Sequence, residues 1–235
     1  MKHNLLFIYG PLNAGGGERV LIDLLSNLDY EKYAVDLCLI VNQGILLPEV
    51  PKQVHIISLW GKYNLYYKIA YRLSKWFGMH AMFRKVLKEK ITKPYDVEIS
   101  FLEGMPMKLH ALMETKAKKI SWVHCDLYNH PYEAKQFAIG EEVSAYNKMD
   151  SIVCVSNNAK QAFKKRFPTC IAPQKVIYNP INLTKIVKLA SEKQNTKKQR
   201  SRKRTTKRAG SEQKTARCSA LSAIPMPGSG GGRKP

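Results

Sequence analysis

The stretch Gly10-Pro11-Leu12-Asn13-Ala14-Gly15-Gly16-Gly17-Glu18-Arg19-Val20 constrains this chain more than any other. Asn4–Tyr9 before it is a short apolar run that reads as a buried strand, and Arg19–Leu28 after it is apolar at helical spacing. A strand, a glycine-rich turn and a helix start together can hold an anion. Glycines let the backbone come close, and the free N–H groups and dipole of the first helical turn face the negative charge. No Lys-Ser/Thr follows the glycines, which excludes a P-loop, and their spacing is not that of the dinucleotide fingerprint. By itself the turn is also compatible with an ordinary tight strand-to-helix connection.

Further strands are expected over Tyr33–Val41, Val54–Leu59, Asp96–Phe101, Lys119–His124, Ser151–Val155 and Lys175–Tyr178. Between them lie helical stretches at 64–93, interrupted at Gly78, after Gly104, over 136–148, and over Asn157–Phe167 with Ser156 as N-cap. Strands separated by helices and lacking strict alternation predict an α/β fold, a doubly wound parallel sheet covered on both faces. In such sheets ligands bind beyond the carboxyl ends of the strands. Three polar clusters fall there: Gly15–Gly17, His124 with Asp126, and Ser156 with Asn157 and Asn158.

Charge divides the chain of 235 residues, whose net charge is +21. Residues 191–235 hold 13 Lys/Arg against two Glu, and residues 60–93 hold nine against Glu89 alone. Residues 179–235 lack Phe, Tyr and Trp, and from Gln194 the sequence is rich in Lys, Arg, Thr and Ser. Such a composition buries too little apolar surface to offset chain entropy, so 194–235 is expected to be a disordered basic tail.

Within 60–93, Tyr66, Ile69, Ala70, Leu73, Trp76 and Phe77 recur at helical spacing, and Lys68, Arg72 and Lys75 share another face. Arg84, Lys85, Lys88 and Lys90 follow. The apolar repeat is expected to face the core, at least in part. The excess of cations and aromatics over what solubility requires also fits an anionic membrane surface, with Lys68, Arg72, Lys75, Trp76, Arg84, Lys85 and Lys88 as contacts. The five cysteines show no CxxC pair and no metal-ligand spacing, which suits a reducing cytosol and predicts no bound metal and no cofactor. About six apolar residues before Gly10 are too few for a signal peptide, and no apolar run reaches the length of a membrane span. The expected location is cytoplasmic, peripherally attached to the inner face of the cell membrane.

Four ordered stretches within about 1–190 resemble the amino-terminal half of family 4 retaining glycosyltransferases of the GT-B fold: Asn13–Leu21, Lys93–Ser100, Trp122-Val123-His124, and Ser151–Ser156 continuing through Val176–Asn182. The resemblance implies two Rossmann-like domains facing across a cleft, the first binding mainly the acceptor and the second a nucleotide-sugar donor. Gly15, Gly16 and Gly17 would then approach the donor diphosphate, with Arg19 as a charge partner. His124 would stand catalytically beside the transferred sugar, and Asp126, Ser156 and Asn157 would lie on the acceptor side. Each also has a plainer role open to it: Arg19 as a solvated first-turn residue, His124 as a satisfied strand-end histidine, Asp126 as a turn cap, Ser156 as an N-cap.

The implied organisation is an acceptor-side domain at 1–182, the start of an interdomain crossing at 183–193, and the basic tail at 194–235. That tail stands where a donor-binding domain is expected, which points to a shifted reading frame or truncation, with a genuine basic tail as the alternative. The implied function is sugar transfer from a nucleotide-sugar to a glycan or lipid-linked acceptor in surface polysaccharide or glycolipid synthesis, with a chain of this kind inactive alone because half a cleft cannot stabilise the leaving diphosphate. A different class of function is a basic binding module for anionic membrane or nucleic acid. The absence of a nucleic-acid motif and of aromatics in the tail speaks against nucleic acid. A third reading supplies the donor half from a separate chain.

Overall fold

The computed structural model describes residues 1–180 together with Val187. The basic tail at 194–235 and the crossing at 183–193 fall outside the described residues, apart from Val187.

Seven strands form one sheet in the order β3-β2-β1-β4-β5-β6-β7. They are β1 (His3–Tyr9), β2 (Tyr33–Val41), β3 (His55–Trp60), β4 (Val97–Ser100), β5 (Lys118–Val123), β6 (Ser151–Cys154) and β7 (Gln174–Val176). Every pairing is parallel. Such a sheet needs crossover helices on its faces, and it has them. These are α1 (Gly16–Ser26), α2 (Leu65–Phe77), α3 (Ala81–Lys90), α4 (Met105–Leu112), α5 (Glu141–Tyr146) and α6 (Asn157–Arg166). This is the α/β architecture that the strand–helix alternation predicts, in the Rossmann-like form that the resemblance implies.

Because side chains alternate across a strand, β1 feeds two cores at once. Leu6 and Ile8 pack with Cys38, Ile40, Phe83 and Leu109 on one face. Leu5, Phe7 and Tyr9 pack with Leu21, Leu25, Leu37 and Leu39 on the other. A third cluster joins β6 to its helices through Ile152, Cys154, Tyr146 and Phe163. The chain runs from β1 outward to β2 and β3, then returns to place β4 on the opposite side of β1. The strand order therefore reverses between β1 and β4, and ligand crevices of open parallel sheets form at such a point.

Helix boundaries follow local chemistry. Asn64 caps α2, its side-chain oxygen accepting from Tyr67 N–H at 2.9 Å. Gly78, at φ 63°, ends it in the left-handed conformation, which accounts for the predicted interruption. The helix expected over 136–148 is shorter. A 3-10 turn, Tyr132–Gln136, precedes α5, and Gly140 at φ 74° separates them.

The face of α2 corrects the sequence expectation. Of the six apolar positions read as core-facing, only Ala70 is buried and Leu73 is half-buried. Tyr66, Ile69, Trp76 and Phe77 are exposed, the last two at 73% and 71%. The inward side is instead Tyr67, Ala70, Tyr71 and Ser74, with Tyr67 and Tyr71 packed on the core. A repeat at helical spacing identifies a stripe, but it does not say which of two available stripes the sheet covers.

Candidate active site

The glycine turn stands at the carboxyl end of β1. Gly15 is the N-cap of α1 and makes no side-chain cap bond, so no side chain of the cap occupies the first-turn amides. The turn is tied down through Leu12, whose N–H donates to the Gln43 carbonyl at 2.9 Å and whose carbonyl accepts from Leu46 N–H at 3.0 Å. At Gly17 an added Cβ would stand 2.7 Å from the Tyr9 hydroxyl, so this position requires glycine for close approach. A side chain at Gly15 would collide with the Glu18 carboxylate, which folds back over the turn. Tyr9 is buried and hydrogen-bonded to Glu18, and burial, together with the nearby carboxylates of Glu18 and Glu103, pushes its hydroxyl pKa far up. Arg19 points elsewhere, forming an exposed ion pair with Glu49.

His124 follows β5 directly. Its ring packs edge-on against Phe101 with centroids 4.9 Å apart, and its backbone N–H donates to Glu103 Oε2 at 3.0 Å. Burial holds the imidazole pKa below its ordinary value, while the Glu103 carboxylate and a backbone hydrogen bond at Phe101 oppose that shift. Its Nε2 is buried and has no hydrogen-bond partner. Unpartnered buried polar atoms are rare enough to need a reason.

Glu103 joins these pieces and was missed in the sequence. It is buried after β4, accepts from Cys125 Sγ at 2.8 Å as well as from His124, and lies close enough to Tyr9 to raise that hydroxyl's pKa. Its one sequence signal is an acidic residue just beyond a strand's carboxyl end; that this strand borders the reversal is visible only in the fold.

A cavity of about 350 Å³ opens at this reversal. Gly10 and Pro11 after β1, Leu102 and Glu103 after β4, and Tyr63, Tyr67 and Tyr71 along α2 and the loop before it form its walls, with Glu133 and Gln136 at a polar edge. The tyrosines at four-residue spacing could have been read as one helix face. The competing stripe drew the sequence reading to the other side of the same helix.

The remaining predicted residues have local structural roles. Asp126 accepts from Tyr128 N–H at 3.1 Å and Asn129 N–H at 3.0 Å, and from Asn129 Nδ2 at 2.7 Å, which lowers its carboxyl pKa and caps the turn. Ser156 caps α6 by accepting from Ala159 N–H at 3.1 Å. Asn157 Nδ2 donates to the Tyr178 hydroxyl at 3.4 Å. Among the described residues, no cluster of three His, Cys, Asp or Glu is placed to hold a metal ion.

Comparison with known proteins accords with this architecture. Two crystal structures of Alr3699/HepE from Anabaena match at 16% identity. The complex with UDP-glucose has a TM-score of 0.51, with 80% of this chain and 49% of that chain covered. The complex with UDP and glucose has a TM-score of 0.49, with 77% and 46% covered. The chain thus spans about half the length of these structures, and at this identity the likeness to the UDP-glucose complex speaks for the fold alone. No curated protein matches the chain. The profile of Glycosyltransferase Family 4 matches residues 14–185. The chain therefore belongs to Glycosyltransferase Family 4.

Proposed function

We propose that residues 1–182 are the acceptor-side domain of a retaining GT-B glycosyltransferase that moves a sugar from a nucleotide-sugar to a glycan or lipid-linked acceptor in surface polysaccharide or glycolipid synthesis. The observation that carries this reading is the convergence at the strand-order reversal. An uncapped helix N-terminus at Gly15–Gly17, against which Tyr9 stands, and a buried, unpartnered His124 Nε2 lie on either side of Glu103, which accepts from His124 N–H and acts electrostatically on Tyr9. The helix start suits a diphosphate. With the other ring nitrogen donating to the Phe101 backbone, the free Nε2 of a neutral imidazole accepts, which suits a sugar hydroxyl.

In the transfer, the bond between the anomeric carbon and the diphosphate oxygen breaks. The acceptor hydroxyl oxygen bonds to that carbon with the same anomeric configuration, and its proton leaves with the nucleoside diphosphate. UDP-glucose, the ligand of one similar structure, is the first donor to test. Glu18 stands against the first turn of α1, and an incoming diphosphate would contest that position. The donor's remaining contacts come from a second domain or chain, so residues 1–182 alone should not turn over.

Amide chemical shifts of the full chain, titrated with inorganic pyrophosphate or UDP, test the assignment. Movement at Gly15–Gly17 and at His124 is expected. Saturating ligand with no movement there would sink it.

A membrane-surface role is supported by the corrected face of α2. Leu65, Tyr66, Ile69, Trp76 and Phe77 form an exposed apolar arc, and Lys68 and Arg72 flank it. Arg84, Lys85 and Lys88 are exposed on α3. At about 1 kcal/mol per cation near an anionic surface, several such contacts give reversible attachment. No helix among the described residues is long and apolar enough to cross a membrane. Salt-sensitive sedimentation with phosphatidylglycerol vesicles, lost in Trp76→Ser/Phe77→Ser, is expected. Binding to oligonucleotides but not to vesicles would favour the basic-module reading instead.

A further inference from the structure

We propose that the cavity under α2 is the acceptor subsite, and that it admits an uncharged or amino-bearing sugar while rejecting one with a carboxylate, sulfate or phosphate beside the accepting hydroxyl. This rests on the glycosyltransferase reading and deepens it, because it assigns the acceptor's chemical class from the residues of one cavity.

The cavity has two unlike walls. One is aromatic: Tyr63 and Tyr67 meet edge-to-face with centroids 5.0 Å apart, and Tyr67 and Tyr71 are stacked at 6.2 Å. Rings so arranged offer an apolar surface to the C–H face of a sugar, together with hydroxyls for its rim. The other wall is acidic, with Glu103 and Glu133 both facing the cavity. Burial and the Glu103 charge push the Glu133 carboxyl pKa up, and the Glu133 charge raises the Tyr71 hydroxyl, so these groups share one electrostatic environment.

Ionised carboxylates only accept hydrogen bonds, so they favour donors such as hydroxyl or ammonium groups. A second anion at this edge would face two like charges in a partly dry cavity, where repulsion is poorly screened. A wholly apolar ligand is disfavoured for a different reason, since it would strip water from carboxylates without replacing it. Gln136 sharpens the selection. Its Nε2 is bonded to Glu133, while its Oε1 is buried without a partner, so this edge of the cavity holds one more unused acceptor.

The volume fits a small ligand: about 350 Å³ lies at the lower end of the range for ligand pockets, suited to one or two sugar rings. The position fits as well. α2 carries Tyr67 and Tyr71 on its inner side and the exposed apolar arc on its outer side. One helix can therefore rest on a membrane and form the wall of the site that receives a headgroup.

The test is ligand-observed and amide-shift NMR on the full chain with three methyl glycosides of one ring: glucoside, glucosaminide and glucuronide. The first two should bind and shift Tyr63, Tyr67 and Tyr71, and the glucuronide should not. Glu133→Gln should weaken the glucoside about tenfold, as expected for losing one charge-assisted hydrogen bond, and should narrow the discrimination against the glucuronide. Equal or tighter binding of the glucuronide by the parent chain overturns the charge selection. If no glycoside moves the tyrosines while UDP still shifts Gly15–Gly17, the subsite is wrong and the transferase reading stands. If UDP also leaves that turn unmoved, the transferase reading fails with it.

Discussion

The two ends of this sheet use several of their polar groups differently. At the amino ends, carboxylates are bound to partners within the fold. Asp96 accepts from Asn4 N–H at 2.7 Å, Asp150 from Lys119 N–H at 2.7 Å, and buried Asp36 from the Tyr95 hydroxyl at 2.6 Å and Lys93 Nζ at 3.0 Å. At the carboxyl ends, the N-cap of α1 has no side-chain bond, His124 Nε2 and Gln136 Oε1 lack partners, and Glu103 and Glu133 line an open cavity. The amino-end carboxylates named here tie strands to their neighbours, and under the proposed function the carboxyl end is where a ligand meets open acceptors. Parallel strands impose this asymmetry, because every crossover helix begins on the carboxyl side and aims its N–H groups there.

The largest expected effect belongs to the amino end. Asp36→Ala removes the acceptor of the Tyr95 hydroxyl and the partner of Lys93, and should cost about 1–3 kcal/mol in denaturant unfolding. UDP-induced shifts at Gly15–Gly17 should be unchanged. A variant that unfolds normally but loses those shifts would break the comparison.

Next, Ser156→Ala should cost about 1 kcal/mol, because Ser156 lies at the carboxyl end yet serves as a helix cap. If it weakens glycoside binding without loss of stability, it belongs to the ligand side after all.

Acid sensitivity gives a smaller effect with a definite sign. Burial holds His124 and His110 below their ordinary pKa. The unfolded chain then takes up protons near pH about 6.5 while the folded chain does not, so stability is complete above that pH and falls as pH drops through it. In thermal melts, His124→Gln should flatten this decline, at a cost at neutral pH set by the lost Phe101 ring contact and backbone hydrogen bond, since Nε2 itself has no partner to lose. An unchanged slope would mean that His124 titrates alike in the folded and unfolded chain.

The smallest effect is expected at Arg19. Its ion pair with Glu49 is partly exposed, and Arg19→Gln should change stability by at most about 1 kcal/mol. A large loss of pyrophosphate binding in this variant would show that Arg19 turns toward the ligand when one is present.

Much of the fold was legible in the sequence because it depends on local pattern. The apolar runs at Asn4–Tyr9 and Tyr33–Val41 lie within or match the observed strands, and Gly78 ends α2 as its conformational freedom predicts. The glycine turn was found because closeness between residues 15 and 18 is written in consecutive positions. Glu103 and Glu133 were not legible in the same way. They stand 30 positions apart, follow different strands, and meet only once β4 is placed beside β1 and the Tyr132–Gln136 turn is folded over the carboxyl edge.

The sequence by itself determined the parallel α/β class, the glycine-rich strand-to-helix turn and the amphipathic nature of residues 65–77. Each depends on periodicity or on the chemistry of a few adjacent residues. Only the tertiary structure decided which stripe of α2 is covered. Tyr67, Ala70, Tyr71 and Ser74 face inward and leave Trp76 and Phe77 outside, because the aromatic edges of Trp60 and Phe83 pack against Tyr67. A helix carries several apolar stripes, and it is the shape and chemistry of the surface beneath that selects among them.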